Sequence, residues 1–193
     1  MEIAVIGTGF IGGILGRALA QSGHVVIFGS RHPEGDDLVV PDGASVASVA
    51  DALASAEVVI LAIPGSAVAA FSAELGPRLE GKLVIDATNR MGEQVTNSRA
   101  ALPATVRYAR AFNTMGGENM ADPMFADGLA DLFFSAPEAD RAVVEEIVRG
   151  VALRPIYVGA DQEDLIDAVF RLWIALAIEQ RRGRRLAFRV LEG

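Results

Sequence analysis

The feature that most constrains this chain is a strand, a glycine-rich turn and a helix following one another at its N-terminus. Ile3-Ala4-Val5-Ile6 is an apolar run too short for a helix but right for a buried parallel strand, and Ile11, Ile14, Leu15, Ala18 and Leu19 then recur at helical spacing. Between them stands Gly7-Thr8-Gly9-Phe10-Ile11-Gly12, a G-x-G-x-x-G at the joint where a dinucleotide fold needs one. Gly7 is expected to permit the tight turn, Gly9 to let the backbone approach a pyrophosphate, and Gly12, with Gly16 one turn on, to let helix and sheet pack closely. The free N–H groups and positive dipole end of the helix would then face the phosphates.

A second strand, Val25-Val26-Ile27-Phe28, follows at the expected distance and ends in Gly29-Ser30-Arg31-His32. Sites that select NAD place a carboxylate here for the ribose 2′-hydroxyl, and that carboxylate would repel a 2′-phosphate. This chain offers a hydroxyl and a guanidinium instead, a pair suited to a phosphate dianion, so NADP is the favoured cofactor. Asp36 and Asp37 come several residues later, in a loop containing proline and glycine, and are read as solvating it.

Length and composition narrow the classes. At 193 residues the chain suits one domain with a small appended element, and a second catalytic domain does not fit. Although 51% of residues are hydrophobic, no apolar stretch reaches the roughly 20 residues that span a bilayer. The Leu165 to Ile178 run carries Asp167 and Arg171, and no signal peptide precedes Ile3, so a soluble, cytoplasmic protein is expected. The absence of cysteine excludes disulfides and thiolate chemistry, and two histidines, His24 and His32, make a metal site unlikely on counting alone. A net charge of -8 argues against nucleic acid as a partner.

Further along, Ala44-Ser45-Val46 reads as a third strand and Ser48 to Ser55 as a short helix. The run from Glu57 to Ile63, closed by Pro64-Gly65, reads as a strand buried on both faces. In an open parallel sheet ligands sit beyond the carboxyl ends of strands, so Ala62, Ile63 and Pro64 are placed to flank the cofactor's ribose and nicotinamide. Pro64 could equally serve only to start the next helix. The helix Ser66 to Leu75, a fifth strand Lys82 to Asp86 and a sixth Val106 to Phe112 continue the alternation. These last two strands run into Ala87-Thr88-Asn89-Arg90 and Asn113-Thr114-Met115-Gly116-Gly117, where Thr88, Asn89, Asn113 and Thr114 could orient a carboxamide or a substrate carbonyl or could simply form turns.

Asp131 to Ser135 and Arg154 to Val158, flanking a helix Pro137 to Arg149, read as two more strands. The expectation is therefore a Rossmann-type, doubly wound and mostly parallel α/β sheet of about eight strands, with a C-terminal helical extension. Residues 1–160 would form the NADP-binding domain, and residues 161–193 a helix and tail serving a dimer interface or an acceptor cleft. The last helix, about Asp161 to Gln180, is apolar on more than one face, which predicts burial or a homodimer. It ends in Arg181, Arg182, Arg184 and Arg185, read as cations solvated near a helix C-terminus.

Ala4-Val5-Ile6-Gly7-Thr8-Gly9, Gly29-Ser30-Arg31, Leu61-Ala62-Ile63-Pro64 and Ala111-Phe112-Asn113 resemble the family of NADP oxidoreductases dependent on coenzyme F-420 (F420), a deazaflavin. The resemblance implies a single Rossmann domain in which hydride passes directly between nicotinamide and deazaflavin. It places Thr8, Gly9, Phe10 and Ile11 at the pyrophosphate, Ser30 and Arg31 at the 2′-phosphate, and Ile63 and Pro64 near the nicotinamide ribose. The stretch Asn113 to Met120, where the acceptor would be received, departs from the family's pattern. Direct hydride transfer asks mainly for two planar rings held face to face, with Asn113 as the orienting group, and requires no dedicated acid. A small carbonyl or imine reductase would need a positioned proton donor. A non-catalytic NADP sensor would use the same cradle.

Overall fold

A computed structural model describes residues 1–35, 40–89, 97–191 and 193 of the chain. Six strands, β1 (Glu2–Ile6), β2 (Val25–Ser30), β3 (Ala44–Ser48), β4 (Val58–Leu61), β5 (Leu83–Asp86) and β6 (Arg107–Arg110), form one all-parallel sheet. Their order is β3-β2-β1-β4-β5-β6, the doubly wound arrangement with its switch point between β1 and β4. Apolar runs become central strands here because both faces are covered. Ile3, Val5, Val58, Ile60, Leu83 and Ile85 point into one core, and Ala4, Ile6, Val59, Leu61 and Val84 into the other.

The first core lies beneath α1 (Phe10–Gln21) and α5 (Arg141–Gly150), and the second beneath α2 (Val49–Ser55) and α3 (Val68–Leu75). Gly16 lets α1 approach the sheet, since a Cβ there would stand 2.3 Å from the Phe28 ring. Ser48 caps α2 through its Oγ, which accepts the Asp51 N–H at 3.2 Å. Strand β2 runs two residues past Phe28 and so carries Ser30 to the sheet's carboxyl edge.

The main sheet has six strands, not eight. The segments β9 (Asp131–Phe134) and β10 (Arg154–Tyr157) do form, but they pair parallel with each other as a separate sheet. β9 meets β6 only at an antiparallel bridge between Arg110 and Ser135, so the parallel ladder cannot propagate through it. Before them comes α4 (Gly117–Ala121) and a hairpin that the sequence pattern did not announce, β7 (Met124–Phe125) with β8 (Gly128–Leu129).

The last helix, α6 (Glu163–Ile174), widens into a π turn over Ala175–Glu179. It buries one face, Ile166, Phe170, Trp173 and Ala177, while Leu165 and Leu172 remain 46% and 51% exposed. The helix is thus amphipathic within its own chain, its apolar excess concentrated on the outer face. The arginine cluster is also only partly solvated. Arg184 pairs with Glu118 at 2.5 Å and stands over the Trp173 ring, and Arg185 pairs with Asp122 at 2.8 Å. These pairs turn the chain back, and the tail runs beside β9, where the Asp131 N–H donates to the Phe188 carbonyl and the Val190 N–H to Asp131 Oδ2. The Asn119 amide and the Trp173 indole N–H both donate to the Leu186 carbonyl and hold that course.

Candidate dinucleotide site

A cleft of about 980 Å³ opens along the carboxyl edge of the sheet, over β1, β2 and β4 and between α2 and α3. Gly7, Thr8 and Gly9 form its floor at the start of α1, Ser30 and Arg31 its rim beyond β2, and Ala62, Ile63 and Pro64 its wall beyond β4.

The cradle is built from contacts that only glycine allows. Gly7 has φ +109°, and a Cβ there would lie 2.6 Å from the Ala62 carbonyl oxygen. A Cβ on Gly12 would fall 1.9 Å from the Gly7 oxygen, so helix and turn are as close as backbone permits. Around Gly9, by contrast, nothing lies within 4 Å of a Cβ position. Gly9 is the N-cap of α1 with no side-chain cap, and the first turn carries no acidic residue. The N–H groups of Phe10, Ile11 and Gly12 therefore have no intrahelical partner and no competing carboxylate, which is the donor set a pyrophosphate requires. The Phe10 ring is 65% exposed, and the space a Gly117 Cβ would need is taken by Phe10 and Ile11, so this turn abuts the start of α4.

At the β2 rim the Ser30 hydroxyl is buried and accepts the His32 N–H at 3.0 Å, an arrangement that fixes the bend carrying Arg31. Arg31 is exposed and forms no ion pair among the described residues. Asp36 and Asp37 lie outside the described residues. Pro64 lines the cleft and also starts a short 3-10 turn, Gly65–Ala67, its carbonyl accepting the Ala67 N–H.

Thr88, Asn89 and Asn113 do not line this cleft. Thr88 and Asn113 are buried beneath the carboxyl ends of β5 and β6. Asn113 donates from Nδ2 to the Thr88 carbonyl at 2.9 Å and to Asn89 Oδ1 at 3.4 Å, while its own Oδ1 and the Thr114 hydroxyl find no partner among the described residues. Asn113 is thus positioned to hold the loop after β5, and its contact with a ligand would be indirect. No group of histidine, cysteine, aspartate and glutamate suited to a metal ion occurs among the described residues. Nor is any helix among them long and apolar enough to cross a membrane.

Residues 2–90, from β1 through the loop after β5, match the model of the coenzyme F420-dependent NADP oxidoreductases. A candidate F420-dependent NADP-reductase from Arthrobacter sp. FB24 has the same fold along its whole length, with a TM-score of 0.81, 26% identity and 100% of each chain covered. A Streptomyces aurantiacus imine reductase shares the fold at TM-score 0.73 and 21% identity, over 91% of this chain and 61% of that one. Among curated proteins, the glycerol-3-phosphate dehydrogenase (NAD(P)+) of Azotobacter vinelandii is 24% identical over 176 residues, 83% of this chain and 52% of the enzyme. The chain spans about half the length of that dehydrogenase.

A second polar assembly joins the end of the matched stretch to the rest of the chain, and it was not read from the sequence. Arg110, fully buried, donates from Nε and Nη2 to Asp167 Oδ1 at 3.0 and 2.7 Å and from Nη1 to the Thr88 carbonyl at 2.6 Å. The same Nη1 lies 3.1 Å from Asp86 Oδ2. Asp86 in turn accepts the Thr88 N–H, the Ser98 N–H and the Tyr108 hydroxyl at 2.9, 2.8 and 2.6 Å. Burial, with the Asp86 carboxylate adding to it, pushes the Tyr108 phenol far above its ordinary range and keeps it a neutral donor. The available signal was three charged residues standing inside apolar runs, Asp86 closing β5, Arg110 closing β6 and Asp167 on the buried stripe of α6.

Proposed function

We propose that the protein binds NADP(H) in this cleft and exchanges hydride between it and a ring acceptor of the deazaflavin or flavin type, F420 being the member the family suggests. The observation that carries the NADP half is the Ser30-Arg31 rim, which presents a guanidinium with no ion-pair partner among the described residues where an NAD site presents a carboxylate. The cofactor supplies the hydride. Gly7, Thr8, Gly9, Phe10, Ile11 and Gly12 would hold the pyrophosphate through backbone N–H groups. Ser30 and Arg31 would hold the 2′-phosphate, and Ala62, Ile63 and Pro64 would set the ribose. Thr88 and Asn89 would meet the nicotinamide end, kept in place by Asn113 acting as a positioning residue.

The ring-acceptor half rests on what the β5–β6 end of the sheet offers. The Tyr108 phenol is committed to Asp86, and His24 and His32 lie on the β1–β2 side, so no described tyrosine or histidine there is free to protonate a carbonyl or imine in step with hydride transfer. Residues 1–160 would form the nucleotide-binding unit of a cytoplasmic homodimer, with residues 161–193 contributing the outer face of α6 to a two-fold contact.

NADPH oxidation measured separately with F420, free flavin, and small aldehydes or imines tests the reading. Turnover with F420 or flavin and none with the others is expected. Activity confined to imines or aldehydes would make the protein a small-molecule reductase. Tight NADPH binding with no turnover on any acceptor would make it an NADP sensor.

A further inference from the structure

The buried Asp86–Arg110–Asp167 assembly contains two carboxylates and one guanidinium. Every oxygen of the two carboxylates that makes a contact accepts: Asp86 from Thr88, Ser98, Tyr108 and Arg110, and Asp167 from Arg110 and from Asn97 Nδ2 at 3.3 Å. With both acids ionised, as acceptors throughout, the described residues of the assembly carry one more negative charge than positive, in a place closed to water. The Asn113 Oδ1 beside it is a further buried acceptor with no donor among the described residues. Among the described residues no cation other than Arg110 pairs with either acid, and Arg99, which stands over the Tyr108 ring, is exposed to solvent.

Its place in the fold gives the surplus a target. In a doubly wound sheet a dinucleotide lies across the switch point, its pyrophosphate at the start of α1. The Arg31 rim of the cleft lies beyond β2, and the cleft reaches across β1 to the end of β4. The other half of the ligand then extends over the carboxyl ends of β4, β5 and β6, and β5 and β6 end at Asp86 and Arg110. The oxidised cofactor carries a positive charge on its nicotinamide ring that the reduced cofactor lacks.

We propose that the Asp86–Arg110–Asp167 assembly sets the oxidation-state preference of the site, its surplus negative charge favouring the pyridinium form and so making bound NADPH a stronger hydride donor. This rests on the NADP reading given above. Asp167 is the member that supplies the surplus, because Asp86 alone would neutralise Arg110. Asp167 comes from α6, so the C-terminal helix contributes to the chemistry of a site whose cradle lies at the other end of the chain.

The experiment is calorimetric titration of the full-length protein and its variants with NADP+ and with NADPH, and it needs no acceptor. Asp167→Asn keeps the side chain's size and an oxygen for Arg110 while removing the surplus. One unit charge acting across roughly 10 Å of protein at an effective dielectric near 20 should raise the ratio of the NADP+ to the NADPH dissociation constant about fifteenfold. The change should fall on NADP+, with NADPH nearly unaffected. Asn97→Lys, at a half-buried position beside Asp167, should move the ratio the same way without removing any buried group, and serves if Asp167→Asn fails to fold. Arg31→Ala should weaken both oxidation states together and leave the ratio unchanged. Parallel weakening of both nucleotides by Asp167→Asn, or an unaltered ratio in both Asp167→Asn and Asn97→Lys, would overturn the inference while leaving the NADP site standing. Failure of the wild-type protein to bind either nucleotide would overturn the NADP reading itself.

Discussion

Two glycines three residues apart, Gly9 and Gly12, should respond in opposite ways to the same added methyl group. Gly9 has φ -70° and ψ -168°, a conformation alanine adopts freely, and its Cβ would meet nothing within 4 Å. Reduced unfolded-state entropy favours Gly9→Ala by about 0.4–1 kcal/mol, and alanine's poorer N-capping costs about as much. Net stability should therefore change little, leaving the melting temperature within about 4 °C of wild type. The methyl group nevertheless projects into the floor of the cleft and holds a pyrophosphate away from the α1 N–H groups. Losing even one charge-assisted hydrogen bond costs about 1.5–3 kcal/mol, so NADPH affinity should fall by roughly tenfold or more. Gly12→Ala instead forces a Cβ to within 1.9 Å of the Gly7 oxygen, where backbone must move. Overpacking of that severity should cost about 3 kcal/mol or more and lower the melting temperature by about 6 °C or more. Thermal melts and calorimetric titration of the two variants separate the effects. A Gly9→Ala protein that melts normally and binds NADPH as tightly as wild type would refute the pyrophosphate assignment.

Arg31→Ala should weaken NADPH about tenfold and NADH hardly at all, since it removes an exposed cation with no intramolecular partner among the described residues; equal losses by calorimetry would count against the 2′-phosphate site. Leu172→Glu on the exposed face of α6 should convert a dimer into a soluble monomer in sedimentation, and a wild-type monomer would end the two-fold contact. Burial first, then the N-terminal ammonium, holds the His24 imidazole below its ordinary value, against a smaller opposing pull from Glu146. The unfolded chain then takes up a proton that the folded one refuses, so stability should rise with pH up to about 6.5 and be lost as pH falls below it. His24→Gln should flatten the melting temperature over that window, and an unchanged slope would show that another group carries it.

Local pattern was enough where neighbours in sequence are neighbours in space. The β1–α1–β2 unit and the apolar β4 and β5 are each specified by contiguous sequence, and all form as expected. Partner choice was not legible. Asp131 to Phe134 has the composition of a sheet strand, but whether it joins β6 or β10 depends on chain direction at a bridge 25 residues upstream, between Ser135 and Arg110. The periodicity of α6 mixed two faces, because Leu165 and Leu172 are as apolar as Phe170 and only tertiary contact distinguishes them. The arginines after α6 read as solvated because Glu118 and Asp122, which pin Arg184 and Arg185, lie more than 60 residues away. Thr88 and Asn113 were recognised as polar residues at the right edge of the sheet. Their depth was invisible, being set by Arg110 and Asp167, which meet only when the chain is folded.

A buried ion cluster of this kind is a poor device for stability. Desolvating three charges costs several kcal/mol per ion, and well-packed apolar side chains of the same volume would often hold the fold as well or better. Tethering alone would account for Arg110 with Asp86, since that pair already fixes Thr88, Ser98 and Tyr108 at the end of β5. It does not account for Asp167, whose carboxylate brings a second negative charge to an arginine already neutralised. An asparagine at that position could accept the same two Arg110 hydrogen bonds at far lower desolvation cost. The charge left uncompensated among the described residues is therefore the part of the assembly that packing leaves unexplained, and it stands at the sheet edge where the proposed cofactor changes its own charge by one.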